Sequence, residues 1–217
     1  HFHTPFKGIP GGDFLDYYQL DENNLVVILG DVMGKKWGAW YFAYAYAGYI
    51  RSALRGVLQN TKGYSPSEIL QQVNSTVHND SKISEVFATL SILVLNRENY
   101  QIKYSGAGDI PLIYKNNIGD VVRIVSNGLL LGFAKNGEYE DKIIDLKPGE
   151  KVFLTTDGLI DSRARTSESF GEHRLYEIIK NLNDEKDPLK IIHKKFDEFT
   201  QGEYDDDVSL ILIQIKD

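Results

Sequence analysis

Apolar residues along this chain fall mostly into short alternating or continuous runs, with helical spacing in only a few stretches. FLDYYQL, a polar DENN turn and LVVILGD read as a β-hairpin. From about Gly38 to Gln59 the segment GAWYFAYAYAGYIRSALRGVLQ carries bulky residues on most faces, the pattern of a buried helix. SPSE opens a second helix, with Ser65 at the N-cap, Pro66 at N1 and Glu68 at N3. The middle is β-rich: VFATLSILVLN, a RENY turn, YQIKYSGAG, IPLIYKN and DVVRIVS, each gap holding Asn, Gly or charged residues. EDKIIDL and KVFLTT follow around a KPGE turn. Helices are predicted over GEHRLYEIIKNL and DPLKIIHKKFDEFTQ, the second started by Asp187 and Pro188, before a closing strand VSLILIQI.

Hairpin-linked strands with helices grouped at the flanks predict an α+β fold instead of alternating βαβ units. With about ten strands and four helices, the expected layering is an αββα sandwich, two mainly antiparallel sheets flanked by helices. The length of 217 residues suits a single domain over 1–217. The start, HFHTPFKGIPGGDF, has no signal-peptide core and no initiator methionine, so the expectation is a domain taken from the C-terminal part of a longer protein. His1 and His3 could chelate a metal, but a frayed terminus or cloning remnant is the preferred reading.

Composition changes this picture little. Hydrophobic residues make up 42% and charged residues 25%, with a net charge of −7. An acidic balance argues against nucleic acid or an anionic membrane as partner. Cysteine is absent, which excludes disulfides, thiolate nucleophiles and cysteine-based zinc sites, and fits a cytoplasmic, reducing location. No segment approaches the ~20 apolar residues of a membrane span.

Four aspartate contexts share one pattern, an acid at the end of an apolar strand beside glycine or more acid: GGDF (Asp13), ILGDVMG (Asp31), FLTTDGL (Asp157) and YDDDVSL (Asp205, Asp206 and Asp207). Strand ends hold side chains rigidly, and glycine lets a backbone approach a ligand closely. Carboxylates gathered from four segments suit Mg²⁺ or Mn²⁺, which prefer oxygen donors. Each one alone reads first as a turn residue, and it is the four parallel contexts that shift the balance. Either the triple-aspartate cluster fans into water, or a cation sits among its acids. The histidines (His1, His3, His78, His173 and His193) show no metal spacing.

The order of GGDFLDYY, GDVMGKKWGA, FATL, SGAGDIPLIY, LLLGF, LKPGEKVFLTTDGLIDS, FGEHRL and DDDVSL resembles the SpoIIE/RsbU branch of the PPM (type 2C-like) protein serine/threonine phosphatases, from about Pro10 to Ile215. The resemblance implies an αββα sandwich and two Mn²⁺ or Mg²⁺ ions. It makes Asp13 and Asp31 catalytic metal ligands, with Asp31 bridging the ions and the backbone carbonyl of Val32 adding a donor. Asp157 binds the second ion, Asp206 aligns as the ligand of the DDD segment with Asp207 beside it, and the third acid is solvated. A cation then offsets the repulsion within the cluster. The family commonly has AGH where this chain has AGD, so Asp109 is either a turn residue, the preferred reading, or an altered group supporting the metal ligands. Lys35 and Lys36 stand where small residues are usual; they are candidates for substrate phosphate binding, with solvated loop lysines as the alternative.

The implied reaction is hydrolysis of phosphoserine or phosphothreonine by a metal-activated water whose pKa is lowered towards ~7. The implied partner is a phosphorylated STAS-domain anti-anti-sigma factor or similar bacterial signalling protein. An N-terminal sensor or receiver region and a possible homodimer complete the expectation. GGDF superficially resembles the diguanylate cyclase signature, but Phe14 follows Asp13 at once and the other motifs do not fit. The competing reading is a catalytically silent, phosphatase-like binding module; a hydrolase of small phosphomonoesters is a third.

Overall fold

The computed structural model describes residues 1–5, 11–33, 39–60, 65–183 and 185–215. Ten strands and five helices lie among them, in the order β1 (Phe2–Thr4), β2 (Phe14–Gln19), β3 (Asn24–Met33), α1 (Ala39–Asn60), α2 (Pro66–Ser84), β4 (Phe87–Asn96), β5 (Gln101–Ala107), β6 (Leu112–Lys115), β7 (Val121–Ile124), β8 (Lys142–Asp145), β9 (Lys151–Thr155), α3 (Asp157–Asp161), α4 (Gly171–Lys180), α5 (Pro188–Thr200) and β10 (Val208–Gln214). They form two compact units interleaved along the chain. The Asp31 unit comprises Gly12–Asp109 and Ser126–Leu146, and the Asp157 unit the remainder.

In the Asp31 unit the strand order is β2-β3-β4-β5-β8, antiparallel throughout. Val26, Ile28, Leu90 and Ile92 pack with Ile50 and Leu54 of α1 and Leu70 and Val73 of α2. Burial of each such side chain stabilises by about 1.5–3 kcal/mol, which makes this core the main reason the helices lie where they do. The Ser65 hydroxyl caps α2 by accepting from the Glu68 amide at 3.3 Å, with Pro66 in the first turn. Asp141 supports the cap, accepting from the Ser65 hydroxyl and the Ser67 amide, both at 2.7 Å. The expectation for α1 needs correction. Ala43, Ala47, Ile50 and Leu54 enter the core at helical spacing, but Phe42 and Tyr44 are exposed. Aromatic bulk on a second face did not mean burial. Arg51 ties the helix to β2, pairing with Asp16 at 2.6 Å and lying over the Phe14 ring.

In the Asp157 unit the order is β1-β10-β9-β6-β7, again antiparallel. Phe153, Val208 and Leu210 pack with Leu175 and Ile179 of α4 and Ile192 and Phe196 of α5. The N-terminus is not frayed. Phe2–Thr4 adds an edge strand to β10, and His3 Nδ1 shares a 2.9 Å hydrogen bond with the Ser209 hydroxyl. Asp187 caps α5 by accepting the Lys190 amide at 3.0 Å. Lys115 is buried, and its ammonium donates to the carbonyl oxygens of Ile179 (2.9 Å), Lys180 (2.8 Å) and Leu182, closing the C-terminus of α4.

Candidate metal centre

The β2–β3 hairpin sets the first acidic pair. Its register runs from Gln19↔Leu25 to Phe14↔Gly30. The Val32 amide donates to the Gly12 carbonyl at 3.2 Å, so the pairing continues one step past β2 and brings Asp13 across from Asp31. Carboxylates directly opposed on an antiparallel ladder repel each other. The Asp31 amide donates to the Thr89 hydroxyl at 3.3 Å, which steadies the strand at that point. A Cβ at Gly12 would stand 2.5 Å from Asp31 Oδ1 and 2.5 Å from the Val32 carbonyl oxygen. Glycine is therefore required for the chain to close on those two donors.

A second acidic group forms within the Asp157 unit. The strand β9 ends at Thr155, and Asp157 opens the short helix α3 instead of standing at a strand end as predicted. Hydrogen bonds of 3.1 Å run from the Thr156 amide to the Ser209 carbonyl and from the Ser209 amide to the Thr156 hydroxyl. They fasten this turn to β10. A Cβ at Gly158 would lie 1.9 Å from the Asp207 carbonyl oxygen and 3.4 Å from Asp206 Cβ, so only glycine lets α3 lie on the DDD backbone.

The three acids of that segment divide by environment. Asp205 is exposed and accepts the Arg163 amide at 3.1 Å. Asp206 stays at the surface with its carboxylate partly enclosed, accepting the Asp207 amide at 2.8 Å. Asp207 is only 1% exposed, its carboxylate filling the space a Cβ at Gly11 would take. Burial, followed by repulsion from Asp206 and Asp161, raises the Asp157 carboxyl above its ordinary value. Burial also raises Asp206; the Asp207 amide opposes the shift, and repulsion from Asp207, Asp161 and Asp205 adds to it.

These features fit hard divalent cations. The donors are all oxygen, glycine clears the approach to Asp31 and Val32, and the crowding of Asp157, Asp206 and Asp161 is of the kind a dication relieves. His3, His78 and His193 are engaged with Ser209, Gly132 and Asp197. Among the described residues no group of three or more His, Asp or Glu side chains is arranged to hold an ion, so the predicted donors stand as smaller sets within each unit. Lys35 and Lys36 lie outside the described residues.

Sequence reasoning missed most of what surrounds Asp109. Its carboxylate is buried and accepts from the hydroxyls of Ser91 (2.5 Å), Ser126 (2.8 Å) and Tyr104. The signals in the sequence were AGD standing where the family commonly has AGH, and the glycines before the acid. A Cβ at Gly106 would lie 2.0 Å from Asp109 Oδ1, so the carboxylate occupies the space that glycine leaves.

Protein IcfG of Synechocystis is 28% identical over 93% of this chain and 35% of its own length. Phosphoserine phosphatase RsbU of Bacillus subtilis is 24% identical over 98% of this chain and 62% of its own. The chain thus spans about a third to three fifths of these relatives. The solved PP2C phosphatase domain of SpoIIE from Bacillus subtilis superposes with a TM-score of 0.82 at 17% identity, covering 99% of this chain and 60% of that one. RsbX in complex with magnesium superposes with a TM-score of 0.68 at 19% identity, covering 97% of this chain and 91% of that one. These likenesses establish the α+β fold of PP2C-type domains, with its two antiparallel sheets and flanking helices. The model of the Stage II sporulation protein E (SpoIIE) family matches residues 21–216, and with this match over nearly its whole length the chain belongs to the SpoIIE family.

Proposed function

We propose that this chain is a metal-dependent serine/threonine protein phosphatase acting on a phosphorylated bacterial signalling protein. The observation that carries the reading is the placement of Asp13 across from Asp31, with Gly12 against the Asp31 carboxylate and the Val32 carbonyl. Asp13, Asp31 and the Val32 carbonyl are the proposed donors of the Asp31 unit. Asp157 and Asp206 are those of the Asp157 unit, with Asp207 beside them. Two Mn²⁺ or Mg²⁺ ions held by this set would supply a water acidic enough to ionise near pH ~7 and would offset charge on the phosphoryl oxygens. The chain's own part is to hold its carboxylates in place, Asp31 through the β2–β3–β4 ladder and Asp157 through the Thr156–Ser209 clamp. Without a cysteine, the chain offers no thiolate for a phosphoenzyme route.

The name of RsbU as a phosphoserine phosphatase supports the reaction class. A phosphorylated STAS-domain substrate, an N-terminal sensor or receiver region, a homodimer and a cytoplasmic location follow by analogy with the family. No helix among the described residues is long and apolar enough to cross a membrane. Lys35 and Lys36 are retained as proposed phosphate contacts.

The test is hydrolysis of p-nitrophenyl phosphate with Mn²⁺, with Mg²⁺ and with chelator, beside Asp31→Asn. We expect metal-dependent turnover that falls by about a hundredfold or more in the variant, since loss of groups that merely support a metal ligand already costs 10–100-fold. Mn²⁺ binding by calorimetry without turnover would instead favour the silent binding module. Absence of both turnover and Mn²⁺ binding would sink the metallophosphatase reading.

A further inference from the structure

The segment from Ser126 to Lys135 is gripped by one face of α2. Asn74, fully buried, donates to the carbonyl oxygens of Ala134 (2.8 Å) and Lys135 (3.3 Å) and accepts the Gly132 amide at 2.8 Å. One turn on, His78 Nδ1 meets the Gly132 carbonyl at 2.9 Å. Gly132 itself, at φ +86, sits so close to Ser81 that a Cβ would be 2.1 Å from the hydroxyl. Asn74, His78 and Ser81 follow at i, i+4 and i+7, the spacing of one helix face. Within the loop, Leu131 is buried and exchanges backbone hydrogen bonds with Ala88, at 2.9 and 3.3 Å. Leu130 covers Gly108.

Several other side chains of this loop stay at the surface. Two of these are large and apolar: Leu129 is 49% exposed and Phe133 59% exposed. Phe133 meets Phe87 edge to face, with ring centroids 5.8 Å apart. Isolated exposed apolar residues are common. What distinguishes this pair is its rigidity and its register. Ala88 pairs with Leu131 on one side and Val32 on the other, so the loop runs two strand spacings, about 10 Å, from the backbone that carries Asp31 and Val32. Phe87 lies two residues, about 7 Å, along β4 from Thr89, the partner of Asp31.

We infer that Leu129 and Phe133 form an apolar contact for the substrate segment flanking the phosphorylated residue, and that they select phosphoproteins by an apolar side chain there. The inference rests on the phosphatase reading above. The ions and lysines proposed above would meet the phosphate itself. The net charge of −7 gives no overall field to draw in the rest of an acidic phosphoprotein, so an apolar contact beside the site is a means of telling substrates apart. A reach of about 10 Å corresponds to about three residues of extended chain from the phosphoserine.

The test uses two phosphoserine peptides of equal charge, one with leucine three residues to either side of the phosphoserine and one with serine at those places. Phosphate release with Mn²⁺ is measured for the wild type, for Leu129→Ser and Phe133→Ser singly, and for the double variant. The single variants keep the test alive if the double one folds poorly. We expect the wild type to favour the leucine peptide by about tenfold in kcat/KM. In the double variant the preference falls below about twofold, on the same scale of pocket contacts. Equal rates on the two peptides in the wild type, or an undiminished preference in all the variants, overturns the inference while p-nitrophenyl phosphate turnover leaves the phosphatase reading standing. A wild type that hydrolyses neither peptide nor p-nitrophenyl phosphate removes that reading, and the inference with it.

Discussion

Asp109 joins three segments through one carboxylate: Ser91 of β4, Tyr104 of β5 and Ser126 beyond β7 all donate to it. Removing the acceptor strands buried hydroxyls, each at a cost of about 1–3 kcal/mol. We therefore expect Asp109→Ala to lose about 3 kcal/mol or more in urea unfolding. Burial raises the Asp109 carboxyl above its ordinary 3.8, and the donated hydrogen bonds reverse this only in part. A carboxyl raised in the folded state holds its proton more tightly there. Its contribution to stability is then fully present below 3.8 and lost as pH rises through the folded value. The stability difference between wild type and Asp109→Asn should accordingly move in favour of the wild type as pH falls from neutral towards 3.8. A difference that stays flat with pH would mean the carboxylate is not desolvated. Asp13 and Asp31 could be picked out of the sequence because acid beside glycine at a strand end is a local pattern. The partners of Asp109 were hidden because they come from up to 18 positions away.

Element termini show the same division. Asp187 and Pro188 of α5, and Ser65 and Pro66 of α2, could be read directly, since an N-cap acts on amides two or three residues ahead. The C-terminus of α4 is closed instead by Lys115, 64 to 67 positions earlier in the chain. Asp187→Ala should cost about 1 kcal/mol. Lys115→Met should cost about 2–3 kcal/mol, because several carbonyls lose a charged donor in a buried place. Hydrogen exchange would locate the second effect: we expect faster exchange in the last turn of α4 for Lys115→Met and unchanged exchange there for Asp187→Ala. Equal behaviour of the two variants would remove the capping role of Lys115. The edge strand β1 escaped sequence reading because three residues hold no usable period, and its pairing partner lies at the other end of the chain.

At the scale of the whole molecule, ions that bind the folded chain and not the unfolded one must stabilise it. At a hundredfold excess over Kd the gain is about 2.7 kcal/mol. For a chain of this size that is a rise of roughly 5–10 °C in Tm. We expect this rise with Mn²⁺, its reversal by chelator, and its loss in Asp31→Asn, all read by thermal unfolding without any substrate. An unchanged Tm at saturating Mn²⁺ would argue against the proposed donor set. By itself the sequence determined the α+β class, the order of nearly all the elements, two helix caps and the acidic segments, because period, capping and turn chemistry act over a few neighbouring residues. Tertiary structure alone decided that Asp13 faces Asp31, that Asp207 is buried while Asp206 stays at the surface, that Asp109 gathers three hydroxyls, and that Phe133 points outward. Those outcomes depend on strand register and on packing between distant segments, which no local pattern of residues encodes.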